Sequence, residues 1–592
     1  MGVMSRRRAP RRALWGTTAL LLLAPIAGCS GWSGVTSTGA PAGSAGAADS
    51  AGPAGSAGSA QPQSAEPSRQ DAQDGQGGQA ATGLTGRPSA EQLSAARADV
   101  ARLSLPQLAA QLVVPRQRAA GQEAAAALRS GGYGGYAVFR DNLPQGAAAV
   151  RTARSDNAAF TRAVRESGRD WPAFVSIDQE GGPVTRLDAP LTVFPAVMAL
   201  GAAGDPALAR RVGAASGAEL RGLGYTVVLA PVADVTGPQD PTIGVRSPGS
   251  DPRAVSRISS ALAAGYLDAG ILPTLKHFPG HGGVGDDTHL GTVTQRAPLT
   301  QLRERDLLPF AEAVSAGAPA IMTAHIVLTA VDPQRPSTVS QKVLTGLLRE
   351  QLGFTGLVVT DALEMAAVAS EFGAGQAAVE AVRAGADVLL MPADPKAAVT
   401  ALVKAVDDGA LTRERLEESA ARMVATLRAT VHDAPAPSEP GSHQQVADDV
   451  AAASITQLGG ECGARLVGAG IRVSGGSSED RAALTRAAQA SGLRTGSGTS
   501  VVLRGGSTYR AAEDDGEETS SAPASGDVVV ALDAPYTLAR DRARVAKLAT
   551  FGRTPATFAG LVRVLLGERT ASGALPVDVG DHAIGSGCGR SS

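Results

Sequence analysis

Short apolar runs alternate with longer alanine-rich segments throughout residues 88–432. The apolar runs have the length of buried strands, and the segments between them carry apolar residues at helical spacing. We predict strands at 111–115, 136–139, 174–177, 227–232, 273–277, 321–325, 357–361 and 387–391. We predict helices at 207–222, 252–269, 302–316, 341–352 and 375–384.

This alternation is typical of parallel βα units, in which each helix carries the chain back to the start of the next strand. Eight such units predict an α/β protein whose catalytic domain, residues 88–432, is a (β/α)8 TIM-type barrel. A doubly wound open sheet is the competing architecture.

The pattern changes after residue 435, where prolines 435, 437 and 440 mark a linker. Beyond the linker, strands are predicted at 464–473, 499–503 and 527–532, with a polar loop at 511–525. A second, smaller α/β sandwich domain is therefore expected over residues 445–592.

The first 29 residues have the pattern of an export signal. Arginines at 6, 7, 8, 11 and 12 precede the apolar run 19–24, and the following Ile-Ala-Gly-Cys29 ending resembles a bacterial lipobox. The apolar run is too short for a membrane span. We expect residues 1–29 to be a lipoprotein signal peptide with Cys29 lipidated; an ordinary signal peptide with an incidental cysteine is the alternative.

Residues 30–87 consist almost entirely of Ala, Gly, Ser, Pro, Gln and Asp. Such a segment cannot bury enough apolar surface to offset the entropy of ordering it, so we predict a disordered linker. Together with a lipid on Cys29, it predicts an exported protein held at the outer, extracellular face of the cell membrane.

Overall charge argues against one class of partner. The 592 residues include 54 Lys and Arg against 56 Asp and Glu, so the net charge is −2 and no nucleic-acid partner is expected. The chain has three Cys. With Cys29 attached to lipid, Cys462 and Cys588 remain either as a disulfide or as two free thiols.

Residues 276–289 crowd a lysine, three histidines and two carboxylates between glycines and Pro279. Proline and repeated glycine exclude a helix or a central strand, so this segment is a loop, and loops dense in titratable groups are typical of sites. Polar residues also end or follow several predicted strands, namely Asp178, Asp234, Lys276, His277, His325 and Asp361. In a barrel the carboxyl ends of the strands meet at one face, so these residues predict one shared pocket.

Two units in this set suit acid–base and nucleophilic chemistry. Asp361 ends a buried strand, which would hold a nucleophilic carboxylate rigidly; capping of the next helix is the alternative. Asp287 and His289 lie two residues apart, so the carboxylate can bind one ring nitrogen and raise the imidazole pKa for proton transfer near neutral pH.

A metal site is the main competing interpretation of the histidines. His277 and His281 have the spacing of some helical zinc sites, but Pro279 and Gly280 lie between them and exclude that helix. Glycines 280–283 match no phosphate-binding pattern. We therefore expect neither a metal nor a cofactor.

Five segments together resemble glycoside hydrolase family 3, and most of all its β-N-acetylglucosaminidase branch. They are KHFPGHGGVGDDTH (276–289), SIDQEGG (176–182), APVADV (230–235), TIGVRS (242–247) and VTD (359–361). They follow the family's order, and the resemblance covers the whole of residues 90–430. Pro183 departs from the pattern, since many relatives carry Arg after Glu-Gly-Gly.

The resemblance implies a role for each matching residue. Asp361 matches the catalytic nucleophile, and His289 with Asp287 matches the acid/base dyad that this branch uses in place of a Glu. Four further residues match those that hold the sugar hydroxyls and the N-acetyl group, namely Asp178, Arg246, Lys276 and His277. Residues 554–577 resemble the closing helix and strand of the family's second domain, for which a structural or wall-binding role is expected.

The resemblance also implies an activity. We expect a retaining exo-β-N-acetylglucosaminidase that removes terminal N-acetylglucosamine from peptidoglycan or chitin-type fragments through a covalent glycosyl-Asp361 intermediate. The alternatives are a β-glucosidase or β-xylosidase, a β-N-acetylglucosaminide phosphorylase, and a non-catalytic glycan-binding lipoprotein.

Overall fold

The computed structural model describes residues 83–84, 86–117, 121–237, 240, 242–284, 291–505 and 522–589. Cys29, Asp287 and His289 lie outside this part of the chain. So do the predicted signal peptide, most of the predicted linker and most of the predicted loop 511–525. What we inferred for these residues stays a prediction.

The fold is mixed α/β, and its first part is a ring of parallel strands. Each predicted strand position holds a strand: Val113–Val114, Gly135–Val138, Phe174–Ile177, Val227–Val228, Leu272–Pro273 with Leu275–Phe278, Ala320–Thr323, Leu357–Val359 and Leu389–Leu390. Neighbours in this order are linked by parallel pairing or by single bridges. The last strand pairs with the first, Leu389 opposite Val113, so the pairing returns to its start.

Successive residues of these strands face two different hydrophobic clusters. Val114, Phe174 and Leu357 belong to one cluster that draws side chains from all eight positions. Their sequence neighbours Val175 and Val358 pack instead with the surrounding helices. Because both faces of the strands are buried, the strands read as continuous apolar runs rather than as alternating ones.

Helices connect the strands of the ring. They are Ala90–Val100, Leu105–Gln111, Gly121–Gly131, Ala147–Glu166, Val197–Ala203, Pro206–Gly222, Pro252–Asp268, Leu299–Glu304, Leu308–Ala316, Ala366–Ala384 with a break at Gly373, Pro395–Asp407 and Arg413–Val431; Lys342–Gln351 is a π-helix. Three of them begin with Asp-Pro, where the carboxylates of Asp205, Asp251 and Asp394 accept two backbone N–H groups each. Such capping stabilises a helix start by about 1 kcal/mol.

The prediction of one helix over 302–316 was wrong. The structure has two helices there. The first ends before Arg305, and the second has Pro309 in its first turn. Proline lacks the N–H that would continue the first helix, so it starts a new one.

The C-terminal part, residues 444–589, contains a six-stranded sheet. Its strands are Thr456–Leu458, Gly470–Gly475, Arg494–Thr495, Thr499–Arg504, Ser525–Ala531 and Arg542–Ala549, and only Thr456–Leu458 pairs antiparallel. The helices of this part are Gln444–Ser454, Ser478–Ala490 and Pro555–Leu565. One face of the sheet, with Val528 and Val530, packs with the last two of these helices, whereas Val529 and Ala531 belong to the cluster that includes the outer face of the ring strands.

The sequence-based picture of this part needs three corrections. The strand predicted at 464–473 begins only at Gly470, and residues 574–577, expected as a closing strand, form no strand and bend at 576 and 577. The strand Arg542–Ala549 was not predicted, because its sequence interleaves charged residues with alanine.

Cys462 and Cys588 form a disulfide across 126 residues of sequence separation. Of the two options left open for these cysteines, the structure therefore has the bridge, which ties residue 588 to the loop that follows the first strand of the C-terminal sheet. Among the described residues, no helix has the length and apolarity needed to cross a membrane.

Candidate active site

Residues from the carboxyl ends of all eight ring positions line one pocket of about 510 Å³. Taken in ring order, they include Arg116, Phe139, Asp178, Leu229, Lys276, His277, Met322, Asp361 and Met391. A volume of this size suits a small ligand such as a sugar. The prediction that polar residues after separate strands share one pocket is confirmed for Asp178, Lys276, His277 and Asp361, and Arg246 lines the same pocket.

Two cations and two carboxylates form a buried network at one side of this pocket. The Lys276 Nζ lies 2.7 Å from both Asp178 Oδ1 and Glu180 Oε1. The Arg246 guanidinium donates two hydrogen bonds of 2.8 Å to the two oxygens of Glu180. Glu180 thus links the two cations, and the parallel geometry of its bonds to Arg246 fixes the plane of that guanidinium.

Opposite charges keep this network ionised. Burial would raise the pKa of Glu180, but the charges of Arg246 and Lys276 outweigh it and hold that pKa far below its usual range. Burial would likewise lower the pKa of Lys276, yet Asp178 and Glu180 raise it. Lys276 is therefore a fixed ammonium at neutral pH, able to donate to a sugar hydroxyl.

A second buried carboxylate orients the histidines of the loop. Asp234 Oδ2 lies 2.7 Å from His277 Nδ1, and its Oδ1 accepts the backbone N–H of His281 at 2.7 Å. The Nε2 edge of His277 then lies 3.5 Å from Arg246 and lines the pocket. Burial lowers the pKa of His281 to about 4, so that ring is neutral in ordinary buffers.

Asp361 lies just past the strand Leu357–Val359 and lines the pocket. Its Oδ1 accepts the N–H of Ala362 at 2.8 Å, and the carbonyl of Ala362 contacts His325 Nε2 at 2.9 Å. The following helix starts after Met365, its N-cap residue, so Asp361 is not the helix cap that the alternative interpretation requires. The carboxylate is therefore held by a braced backbone at the wall of the pocket.

His325 has a different place from the one expected. Its ring is fully buried, and its Nδ1 contacts Thr338 Oγ1 at 2.8 Å, so it braces the backbone beside Asp361 instead of lining the pocket. Four charged pocket residues were not identified as site residues from the sequence, namely Arg116, Glu180, Arg186 and Glu364, although Glu180 lies inside a recognised motif. Within the described ranges, no group of His, Cys, Asp and Glu could hold a metal ion.

Asp240 shapes the segment that leads to Arg246. Its Oδ1 accepts the N–H groups of Thr242 and Ile243 at 3.1 and 2.9 Å, and Thr236 Oγ1 donates to its Oδ2. Burial raises the pKa of this carboxyl from 3.8 to about 6. In the folded protein, Asp240 therefore keeps its proton to a higher pH than in the unfolded chain.

A pH-dependent difference in stability follows from this raised pKa. Because the unfolded carboxyl ionises first, the fold loses stability as the pH rises from about 4 to about 6, by about 3 kcal/mol. Asp240→Asn cannot ionise, so its Tm should rise relative to the natural chain between pH 4 and pH 7.5. Thermal unfolding of both proteins across this range measures the effect, and a Tm difference independent of pH would contradict it.

Comparison with known proteins places this geometry in a family. The model of the glycosyl hydrolase family 3 N-terminal domain matches residues 104–426. Beta-hexosaminidase A of Pseudoalteromonas piscicida is 36% identical over 359 residues, which is 55% of this chain but 59% of that protein. Beta-hexosaminidase LpqI of Mycobacterium tuberculosis is 36% identical over 287 residues, 46% of this chain and 73% of that protein. A solved family 3 β-N-acetylglucosaminidase from Paenibacillus sp. has a TM-score of 0.69 at 30% identity, over 81% of this chain and 99% of its own.

Proposed function

Because the chain belongs to glycosyl hydrolase family 3, as its sequence motifs predicted, we propose that it is a retaining exo-β-N-acetylglucosaminidase. We further propose residues 88–432 as a (β/α)8 catalytic barrel, since the strand pairing returns to its start, and residues 445–592 as an α/β sandwich domain. The relatives named hexosaminidase and N-acetylglucosaminidase support the choice of sugar.

One observation carries the proposal. Asp361 shares a single pocket with Asp178, Lys276, His277 and Arg246, all of which were inferred from separate segments of the sequence. A carboxylate facing fixed cations, an imidazole and a second carboxylate has what is needed to bind a polyhydroxylated ring and to attack its anomeric carbon. We assign sugar binding to Asp178, Lys276, His277 and Arg246.

The reaction would proceed in two displacements. In the first, the Asp361 carboxylate attacks C1 of the terminal sugar, the C1–O bond breaks, and His289 donates its proton to the departing oxygen. In the second, His289 takes a proton from water, whose oxygen attacks C1 and displaces Asp361. Asp287 would stabilise the protonated imidazole before the first step and after the second. Two inversions at C1 give retention of configuration.

The natural substrate of this activity is part of the proposal. We infer that the substrate is a peptidoglycan or chitin-type fragment with a terminal β-linked N-acetylglucosamine. A panel of nitrophenyl β-glycosides (N-acetylglucosaminide, N-acetylgalactosaminide, glucoside and xyloside), each assayed with and without phosphate, tests this. Preference for the glucoside or xyloside would overturn the sugar assignment. A phosphate-dependent rate with release of a sugar 1-phosphate would make the enzyme a phosphorylase.

Attachment to the membrane is a separate proposal that rests on Cys29. We expect the natural chain to fractionate with membranes, because a diacylated cysteine supplies two buried acyl chains. Cys29→Ser should leave the protein in the soluble fraction or block its maturation, whereas Cys462→Ser leaves the lipidation site intact and serves as the control. A soluble natural protein whose N-terminus is not residue 29 would contradict the anchor.

A further inference from the structure

The ion pair between Glu180 and Arg246 lies between two contacts that the C-terminal part, residues 444–589, makes with the ring. Both residues of the pair line the pocket. Glu180 lies in the short strand Gln179–Gly181, which pairs with Val184–Thr185, and Arg246 lies in a segment that follows the ring strand Val227–Val228. Each of these segments contacts a different piece of the C-terminal part. The pocket therefore depends on residues that are distant from it in sequence.

The first contact supports the segment that carries Arg246. Arg246 ends the short 3-10 helix Gly244–Arg246, and four residues later the N–H of Ser250 donates to the carbonyl of Pro576 at 3.1 Å. The neighbouring residue has to be glycine, because a Cβ on Gly249 would lie 2.4 Å from that carbonyl oxygen. The carbonyl of Gly249 in turn accepts the N–H of Thr236 at 3.1 Å.

The first contact is also linked to the backbone of Asp234, the residue whose carboxylate orients the histidines. Ser247 Oγ donates to the carbonyls of Asp234 and Gly249 at 2.6 and 3.0 Å. A displacement of Gly249 would therefore also displace Ser247, and with it the preceding residue Arg246 and the bonded carbonyl of Asp234. No side chain of the C-terminal part is needed for this, since the contact is made by backbone.

The second contact supports the segment that carries Glu180. The N–H of Ala196 donates to the carbonyl of Phe551 at 3.1 Å. Ala196 also packs directly on Gly182, where a Cβ would lie 2.7 Å from its Cα. Gly182 lies two residues after Glu180, so Ala196 alone lies between Phe551 and the segment that carries Glu180. A Cβ on the adjacent Gly552 would lie 2.6 Å from Pro195 Cβ.

The piece that contacts Ser250 is itself fixed. Leu575 exchanges backbone hydrogen bonds with the end of the chain, donating to Ser586 at 2.8 Å and accepting from Gly585 at 2.9 Å. Cys588, close behind, is bonded to Cys462. Ala574 donates to Ala202 of the ring at 3.0 Å. Pro576 thus directly follows two anchored residues and presents its carbonyl as a rigid support.

From these contacts we propose that the C-terminal part is a positioning element for the sugar pocket, which holds the Glu180–Arg246 pair through Phe551 and Pro576. This inference rests on the proposed function, because it gives Arg246 a role in sugar binding. It assigns to the C-terminal part a task in substrate binding without a side chain in the pocket. Its residues are positioning residues, not catalytic ones.

Gly249→Ala tests the first contact in the full chain. The added methyl cannot fit against Pro576, so the segment has to shift, and Arg246 shifts with it. We expect KM for the nitrophenyl N-acetylglucosaminide to rise about tenfold, the size of one lost hydrogen bond to a charged group, with kcat within about twofold. Gly237→Ala is the matched control, because its Cβ meets no atom of the described residues within 4 Å. It should leave KM and kcat unchanged.

A double-mutant cycle shows whether the effect passes through Arg246. If it does, adding Gly249→Ala to Arg246→Ala should change kcat/KM by less than about twofold; effects that multiply would overturn the proposal. Gly552→Ala repeats the test at the second contact and carries it alone if Gly249→Ala does not fold, as judged by thermal unfolding. Folded variants with natural KM would refute the positioning role. A natural enzyme inactive on every glycoside would instead refute the proposed function, and in that case sugar binding measured by calorimetry takes the place of KM.

Discussion

Asp361→Ala is expected to abolish turnover of N-acetylglucosaminides. In the proposed mechanism the Asp361 carboxylate forms the covalent bond to C1, and alanine leaves no atom that can do so. Removal of a nucleophile lowers kcat by about 10⁴- to 10⁶-fold in enzymes that depend on one. The variant should remain folded, because Asp361 lies at the wall of the pocket and not within the buried ion-pair network.

Two measurements assign this loss to the nucleophile. A fluorinated mechanism-based sugar should label the natural protein, and mass spectrometry of its peptides should place the label on Asp361. Glu364→Gln is the matched control, because Glu364 is another carboxylate lining the same pocket, only three residues further along the chain. The control should still become labelled at Asp361. A label on another residue, or an active Asp361→Ala, would refute the assignment.

Azide provides a further check on the role of Asp361. A small anion can occupy the space that alanine leaves and attack C1 in a single displacement. Asp361→Ala with azide should therefore give the glycosyl azide of inverted, α configuration. A β-azide would mean that the nucleophile is still present, and Asp361 would then have another role.

The strand positions could be predicted because each ring strand is buried on both faces. That burial leaves continuous apolar runs such as 174–177 and 357–361, which stand out against the alanine-rich helices. The C-terminal strand Arg542–Ala549 has no such signal, because its first half is partly or fully exposed and only Ala546, Leu548 and Ala549 are buried. Periodicity thus identifies elements that are surrounded by protein and misses those that are half exposed.

The candidate site was predictable only as far as its residues follow strands. Asp178, Lys276 and Asp361 end strands, so the ring topology alone brings them together. Glu180 and its partner Arg246 lie instead in the short strand Gln179–Gly181 and the 3-10 helix Gly244–Arg246, whose neighbouring residues contact residues 551 and 576, hundreds of positions away. No local pattern encodes such contacts. This is why the function of Glu180 became visible only in three dimensions.

The role of His289 is expected to be visible in a contrast between leaving groups. His289→Ala removes the proton donor, so substrates whose leaving group needs a proton, such as an N-acetylglucosamine disaccharide, should lose about 10²- to 10⁴-fold in kcat/KM. A dinitrophenyl glycoside has a leaving group that departs without a proton. Its first step should slow by less than tenfold, because general acid help contributes little there. Asp287→Asn should follow the same pattern with smaller losses, since it weakens the stabilisation of the protonated imidazole without removing the ring.

The decisive comparison is the ratio of the two losses measured on the same preparation. His432→Ala is the matched control, because that imidazole is largely exposed to solvent, and it should change neither rate. Azide gives a second readout. With the nucleophile intact and the acid/base removed, azide attacks the glycosyl-enzyme and the product is the β-glycosyl azide, opposite in configuration to the product from Asp361→Ala. Equal losses on both substrates, with no β-azide formed, would mean that His289 binds the sugar and that another residue transfers the proton.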